Sequence, residues 1–282
     1  MNVFVTRTPS VTTRRLEPMS AWEWPSLREA WASRELLFFF VWRDVKVRYK
    51  QTALGAGWAV IQPVMTMVVF SIFFGRFARM PSDGMPYPLF ALCGLVPWTY
   101  FSSALANGTQ SLVAQQHIIS KVYFPRVLVP VASVAAPLVD FAVALAILLA
   151  LAAAYHVRPS ASIVWLPAFL ALAVLTAAAA TLWLSALSVR YRDVRYVIPF
   201  AIQLWMFVSP VAYPASIVPA PWRAVYGLNP IASVLEGFRW TLLGAPSPGL
   251  WIPLASALAA ALVAFAGLAY FRRVEGTFVD IL

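Results

Sequence analysis

The sequence predicts an all-α integral membrane protein with six transmembrane helices, and composition, apolar run length and charge placement carry that prediction. The 282 residues are 61% hydrophobic and only 11% charged, with a mean hydropathy of +0.76. A water-soluble globule needs more polar surface than such a chain can supply. A formal net charge of +10 is compatible with nucleic-acid binding. Here, however, the charges form short clusters beside apolar segments, as at membrane ends, and no basic domain is present.

A span needs ~20 predominantly apolar residues. Six stretches qualify: 56–74, 88–107, 127–155, 161–188, 196–213 and 250–271. They are too long and unbroken for the ten-residue alternation of a barrel, so helices are expected. Pro63, Pro97, Pro137, Pro167 and Pro199 fall inside them and are expected to kink helices rather than end them. Cys93 is the single cysteine, which excludes an intrachain disulfide. About fifty mostly polar residues precede the first span, unlike a cleavable secretory signal, and residues 1–33 are expected to be a cytoplasmic tail.

Lysine and arginine set the orientation. Sixteen of the twenty-one fall before the first span, in 113–126, in 189–195 and after 271; Arg76, Arg79, Arg158, Arg223 and Arg239 fall on the other side. Both termini are therefore expected in the cytoplasm.

Residues 34–54 are expected to form an amphipathic interface segment ahead of a six-helix membrane domain over 55–282. In "RELLFFFVWRDVKVRYK" (34–50), Phe38, Val41, Trp42, Val45 and Tyr49 share one helical sector and Arg43, Lys46 and Lys50 lie to one side. That pattern suits a helix lying in the headgroup interface. The alternative is the solvated start of the first span. Between the last two spans, residues 214–249 are divided by Pro219, Pro221, Pro230 and Gly244 into pieces too short to cross. Asn229 reads as a helix N-cap with Pro230 at the first helical position, Glu236 and Arg239 as an i,i+3 pair, and Gly244 as the stop. Two short helices dipping into the outer leaflet, or an ordinary external loop, satisfy this pattern.

Catalytic constellations are scarce. His117 and His156 are the only histidines, and the topology places them on opposite sides, so neither a metal site nor a dyad is expected. No GxxxxGK[ST] occurs, and lysine stands only at 46, 50 and 121, which excludes a nucleotide-binding P-loop. Asp140 is the one clear acid inside a span, a structural group bonded to a neighbouring helix or the lining of a wet conduit. Small residues at four-residue spacing in the fourth and last spans signal close packing.

The loop over 113–126 is too short for a domain, yet it carries Ser120, Lys121, the pair Tyr123 and Phe124, then Pro125 and Arg126. Aromatic and arginine anchors suit an interface. Equally, the basic residues fit a topology signal and the aromatics a headgroup belt.

Five ordered segments resemble the polysaccharide and polyol phosphate export permeases, the membrane subunits of type-2 ABC transporters. They are "RDVKVRYKQTALGAGWAVIQP" (43–63), "ISKVYFPRVLVP" (118–129), "SVRYRDVRYVIPF" (188–200), "MFVSPVAYP" (206–214) and "LNPIASVLEGFRW" (228–240). The resemblance covers about residues 31–282. It implies a homodimer of six-span subunits bound to two copies of a separate cytoplasmic ATPase, which uses ATP and Mg while this chain binds no cofactor and is not an enzyme. It further implies an ATPase-coupling helix at about 115–125, involving Ser120, Lys121, Tyr123, Phe124, Pro125 and Arg126. An interface helix is implied at 34–50 and external gate helices at 222–243, with Trp222, Asn229, Pro230, Glu236 and Arg239 as gate residues.

The implied cargo is a glycan on an undecaprenyl diphosphate or similar carrier, such as O-antigen, moved across the bacterial inner membrane. Arg43, Lys46, Arg48, Lys50, Arg190, Arg192 and Arg195 are candidate diphosphate or headgroup contacts, arginine being suited to forked phosphate bonds; topology alone also explains them. Trp58, Trp98, Tyr100, Trp205 and Tyr213, with Asp140, are candidates to line a conduit, and membrane belting accounts for the aromatics equally. Two other readings stand beside this one: a permease of the same fold exporting a drug or small lipid, and a membrane-embedded transferase or phosphatase acting on lipid-linked sugars. The last needs clustered acids or a histidine at one membrane face, and Asp140, Asp193 and Glu236 are far apart in sequence.

Overall fold

The computed structural model describes residues 33–50, 57–122, 124–157, 161–219, 222 and 226–278. Residues 1–32 of the expected tail, residues 51–54 of the interface segment, Tyr123, Arg158 and Arg223 lie outside them. Among the described residues the regular structure is helical.

Helix α1 (Arg34–Lys50) runs seventeen residues without glycine or proline, with Glu35 in its first turn and Arg48 and Lys50 in its last, the charge order that suits the helix dipole. Helix α2 (Gly57–Phe70) holds Pro63 within it and continues as a π-helical stretch, Ser71–Phe77. Helix α3 (Tyr87–Ala114) starts after Pro86, with Pro88 in its first turn, accommodates Pro97, and is buried along most of its length. The turn α4 (Gln116–Ile119) leads to α5 (Leu128–Ala135) and α6 (Leu138–Ala154). Pro137 stands at the break between α5 and α6, so here proline interrupts a helix instead of kinking it. Pro167 lies in the first turn of α7 (Leu166–Arg190), where its missing N–H has no intrahelical partner to lose.

Helix α8 (Val194–Val208) spans fifteen residues around Pro199. The expected apolar run to 213 stops being helical at Ser209, whose backbone is extended. A 3-10 turn at Ala215–Ile217 follows, then α9 (Pro230–Leu243) and α10 (Trp251–Glu275). Of the two short helices expected over 214–249, one stands as a full α-helix among the described residues, and Gly244 ends it at φ 73° as the sequence predicts. Among the described residues five helical stretches are long and apolar enough to cross a membrane: Gly57–Phe77, Tyr87–Ala114, Leu128–Ala154, Ala161–Arg190 and Trp251–Glu275.

Helices α3, α7 and α10 run in one direction. Near their C-terminal ends, Ser188 Oγ donates to the Thr109 carbonyl at 2.6 Å, and Trp183 Nε1 donates to the Val263 carbonyl at 3.0 Å. Trp183 also stacks on Tyr270 with centroids 5.1 Å apart. Their N-terminal halves converge on α9: Phe169 meets Trp240 edge-on, Ser233 and Ser256 share a 2.6 Å hydrogen bond, and Gly94 faces Arg239. One apolar cluster, with Phe40, Phe124, Val189, Phe271 and Phe278, therefore closes the end where α3, α7 and α10 finish. The larger cluster, with Phe101, Phe141, Phe169 and Phe238, fills the middle and the α9 end. Because α7 and α10 are parallel, the segment from α8 to α9 carries the chain back between the two ends.

Close approach of these helices depends on glycines, Gly108 and Gly237 among them. A Cβ at Gly108 would collide with Thr181 across α3 and α7, and one at Gly237 with the ring of Phe169. Gly108→Val is expected to destabilise the bundle by ~1–3 kcal/mol through overpacking. Gly57→Ala, where nothing lies within 4 Å, is expected to leave the melting temperature in detergent unchanged; equal melting of both variants would remove the close-packing account.

Candidate translocation site and coupling surfaces

Helix α1 leans against α5 and α6. Phe40 is buried and packs on Phe124, with centroids 5.4 Å apart. Two turns further on, the Arg48 guanidinium and the Tyr49 hydroxyl both donate to the carboxylate of Asp140. The face toward the protein thus contains Leu36, Leu37, Phe40, Val41 and Arg48, whereas Phe38 and Trp42, which share the apolar sector read from the sequence with Val41 and Tyr49, point outward. Both residues stack with each other on that outer face. The physical reason is Asp140: an acid in an apolar helix needs a partner, and meeting it fixes the rotation of α1.

Asp140 is accordingly not isolated. It and Arg48 are each about one third exposed, into a cavity of about 230 Å³ between α1, α2, α3 and α6. Trp58 and Gln62 enter from α2, and Tyr100 from α3. Burial, then the bond to Asp140, pushes the Tyr49 phenol up to about 12, so it remains a donor at neutral pH. Three expected conduit residues, Trp58, Tyr100 and Asp140, are brought together here with Arg48. Trp98 is not: it is packed against Phe101 in the core. Trp205 packs edge-on against Phe101 and donates to Asn229, and the Tyr213 hydroxyl donates to the Phe207 carbonyl, so both serve the fold around α9.

At the α9 end, Asn229 precedes the helix without a side-chain cap bond. Its oxygen accepts from Trp205 Nε1 at 3.1 Å and its amide donates to Ser209 Oγ at 3.0 Å, which ties the start of α9 to the end of α8. Pro230 occupies the first turn as predicted. Arg239 is buried and donates to the carbonyls of Val211 and Tyr213, at 2.8 and 3.3 Å, beneath the Phe90 ring. It is within electrostatic reach of Glu236, yet its hydrogen bonds go to the non-helical backbone after α8 instead of the expected i,i+3 partner. Trp222 is 63% exposed.

At the opposite end, Ser120 and Lys121 are exposed, and Pro125 follows beside them. Phe124 is turned into the protein against Phe40. The Arg126 backbone N–H donates to Glu275 Oε1 at 3.1 Å, and its guanidinium donates to the Glu275 carbonyl, so Arg126 joins this loop to α10. The same end carries Arg190, Arg192 and Arg195, all exposed, with Arg190 over Tyr191 and Arg195 over Tyr196. Arg43 pairs with Asp44 at 2.8 Å, while Lys46 and Lys50 are exposed. Among the described residues no group of three or more His, Cys, Asp or Glu side chains could hold a metal ion.

The family model described as ABC-2 type transporter matches residues 35–243, which includes α1, the loop with Lys121, and α9. The chain belongs to the ABC-2 transporter family. Its relatives cover nearly the same length. It is 29% identical over 215 residues to the O-antigen export system permease protein RfbA of Myxococcus xanthus, covering 76% of this chain and 82% of that one. Identity is 26% over 249 residues with RfbA of Klebsiella pneumoniae, 88% of this chain and 95% of that one. The polysialic acid transport protein KpsM of Escherichia coli is 22% identical over 239 residues, 83% and 91% of the two chains. As an ABC-2 family member with five spanning-length apolar helices, the chain is a multi-pass membrane protein.

Sequence reasoning missed Tyr49, Gln62 and Glu275 as members of these sites. For the first the sequence held half a signal: a lone intramembrane acid demands a donor, but Lys121, Arg126 and Arg158 all lie nearer to Asp140 along the chain than α1 does, so spacing did not point to Tyr49.

Proposed function

We propose that this chain is the membrane subunit of an ATP-driven exporter that moves a lipid-linked polysaccharide of the undecaprenyl diphosphate type across the bacterial inner membrane. The observation that carries the proposal is similarity to O-antigen export permeases over 88% of this chain and 95% of the relative. The working unit is a homodimer bound to two copies of a separate ATPase. In this reading α8 makes the sixth crossing, which the parallel run of α7 and α10 supports. At ~1.5 Å per residue its fifteen residues cover only about 22 Å, and the extended segment after Ser209 completes the passage.

The end bearing Lys121, the 190–195 arginines and Arg272 and Arg273 faces the cytoplasm, in keeping with the positive-inside rule. Ser120, Lys121 and Pro125 then offer the surface for the ATPase, while Phe124 and Arg126 anchor that surface to the bundle. The α9 helix, held by Asn229 and Arg239, forms the external gate, and the basic residues of α1 and 190–195 meet the diphosphate.

The test compares polysaccharide inside the cell with glycan at its surface in a strain from which the gene is deleted, complemented by wild type or by Lys121→Glu. Trapped internal polymer in the deletion, rescued by wild type and not by the variant, is expected. Intact surface glycan with no internal accumulation would overturn the cargo assignment. If Lys121→Glu exports normally, the docking role of this loop is wrong even where the cargo is right.

A further inference from the structure

The cavity beside Asp140 has the composition of a binding site for a sugar carried on a phosphate. We infer that it takes one phosphate-linked sugar unit of the exported lipid, and that Arg48 exchanges its contact with Asp140 for the ligand phosphate. This rests on the export reading for the identity of the lipid, but the site itself rests on the residues.

Size decides how much ligand fits. A cavity of about 230 Å³ lies below the roughly 300–1,000 Å³ of sites that enclose drug-sized ligands. It therefore suits one sugar ring with its phosphate, and a polymer must pass elsewhere. The chemistry is divided accordingly. Trp58 is 53% exposed and presents an indole face for a sugar ring at the cavity, and Gln62 beside it offers both a donor and an acceptor. On the far wall Asp140 accepts hydrogen bonds from sugar hydroxyls, and Arg48 presents the forked donors that phosphate favours.

The Arg48–Asp140 pair is what makes an exchange feasible. A pair sealed in the core would be unreachable, and one broken by a ligand would leave a buried carboxylate uncompensated. Here both side chains are about one third exposed at the cavity wall, so a ligand reaches them. After Arg48 turns to the phosphate, Asp140 retains the hydroxyl of Tyr49 as a donor. Asp140 is thus the resident acceptor for Arg48, matched to a ligand whose acceptor oxygens are more numerous and more strongly charged.

The full-length permease in lipid nanodiscs is titrated calorimetrically with farnesyl diphosphate bearing N-acetylglucosamine, with farnesyl diphosphate, and with free N-acetylglucosamine. Arg48→Gln is expected to weaken binding of the sugar-bearing probe about tenfold or more, in line with loss of a forked charged contact. Trp58→Ala is expected to weaken the sugar-bearing probe several-fold and leave farnesyl diphosphate unchanged, and as an exposed side chain it keeps the test decisive if Arg48→Gln does not fold. Asp140→Asn is expected to tighten binding by freeing Arg48, whereas a merely structural Asp140 would leave affinity unchanged in a folded variant. Wild-type affinity in both Trp58→Ala and Arg48→Gln, or equal binding of both farnesyl probes, would overturn the site and leave surface charge as the explanation. Export lost in the deletion strain with no effect of these variants on binding rejects the cavity alone; binding through the cavity without an export defect rejects the cargo alone.

Discussion

Arg239→Ala unfolds the α9 end of the permease at markedly lower temperature than wild type, with a loss of about 3 kcal/mol or more. The guanidinium supplies hydrogen bonds to the Val211 and Tyr213 carbonyls from a fully buried position, and hydrogen bonds to charged groups contribute roughly 1.5–3 kcal/mol each. Its removal leaves two carbonyls of a non-helical segment without donors and opens a space beneath the Phe90 ring, which lies 3.8 Å from the guanidinium carbon. Lysine is not expected to rescue, because one compact ammonium cannot reproduce a planar fork that bridges two carbonyls under an aromatic ring. Differential scanning fluorimetry in detergent, with limited proteolysis over 209–229, reads both effects. Melting within a degree of wild type would show that the 209–214 backbone holds its path without Arg239.

Five of the six expected spans and α9 were legible because lipid leaves the backbone few choices: uninterrupted apolar length means helix, and proline and glycine mark its ends. Thus Pro230 and Gly244 bracket α9 where the sequence places them. What the sequence hid was which donor each polar group would choose. Asn229 looks like an N-cap by position, but the turn after α8 brings Ser209 and Trp205 within 3.1 Å, and those partners win its side chain. Arg239 looks like half of an i,i+3 pair, yet the carbonyls of Val211 and Tyr213, which have no helical partner, take its guanidinium from the partly exposed Glu236. Local spacing cannot reveal a competitor that arrives from 28 residues away.

The rotation of α1 was illegible for the same reason. Hydrophobic periodicity weighs Phe38 and Trp42 as heavily as Phe40, and only the meeting of Arg48 with Asp140, 92 residues on, settles which side faces the bundle. Phe38 and Trp42 remain available to lipid or to a second subunit. In the loop that carries Lys121, residue type alone marked Phe124 and Arg126 as interface anchors. They are anchors, but toward Phe40 and Glu275 of the same chain.

That last contact gives the second large effect, expected at Glu275. One carboxylate oxygen accepts the Arg126 backbone N–H at 3.1 Å and the other stands 3.7 Å from Arg272 Nη1, so this side chain joins the Lys121 loop to the end of α10. Glu275→Ala strands that N–H and leaves Arg272, whose Nε and Nη2 are already buried without partners, still less compensated. The backbone term alone costs about 1–3 kcal/mol. The loop then keeps only the Arg126 guanidinium bond to the residue 275 carbonyl and the Phe124–Phe40 contact, and surface glycan is expected to fall several-fold while the protein still reaches the membrane. Glu275→Gln separates the two causes. Its amide oxygen still accepts from Arg126, and the exchange loses only the long pair with Arg272, whose geometry is worth little. Near-wild-type export in Glu275→Gln with a defect in Glu275→Ala assigns the effect to the hydrogen bond. Equal defects in both assign it to the charge, in which case adding Arg272→Ala should restore function by removing the cation left behind.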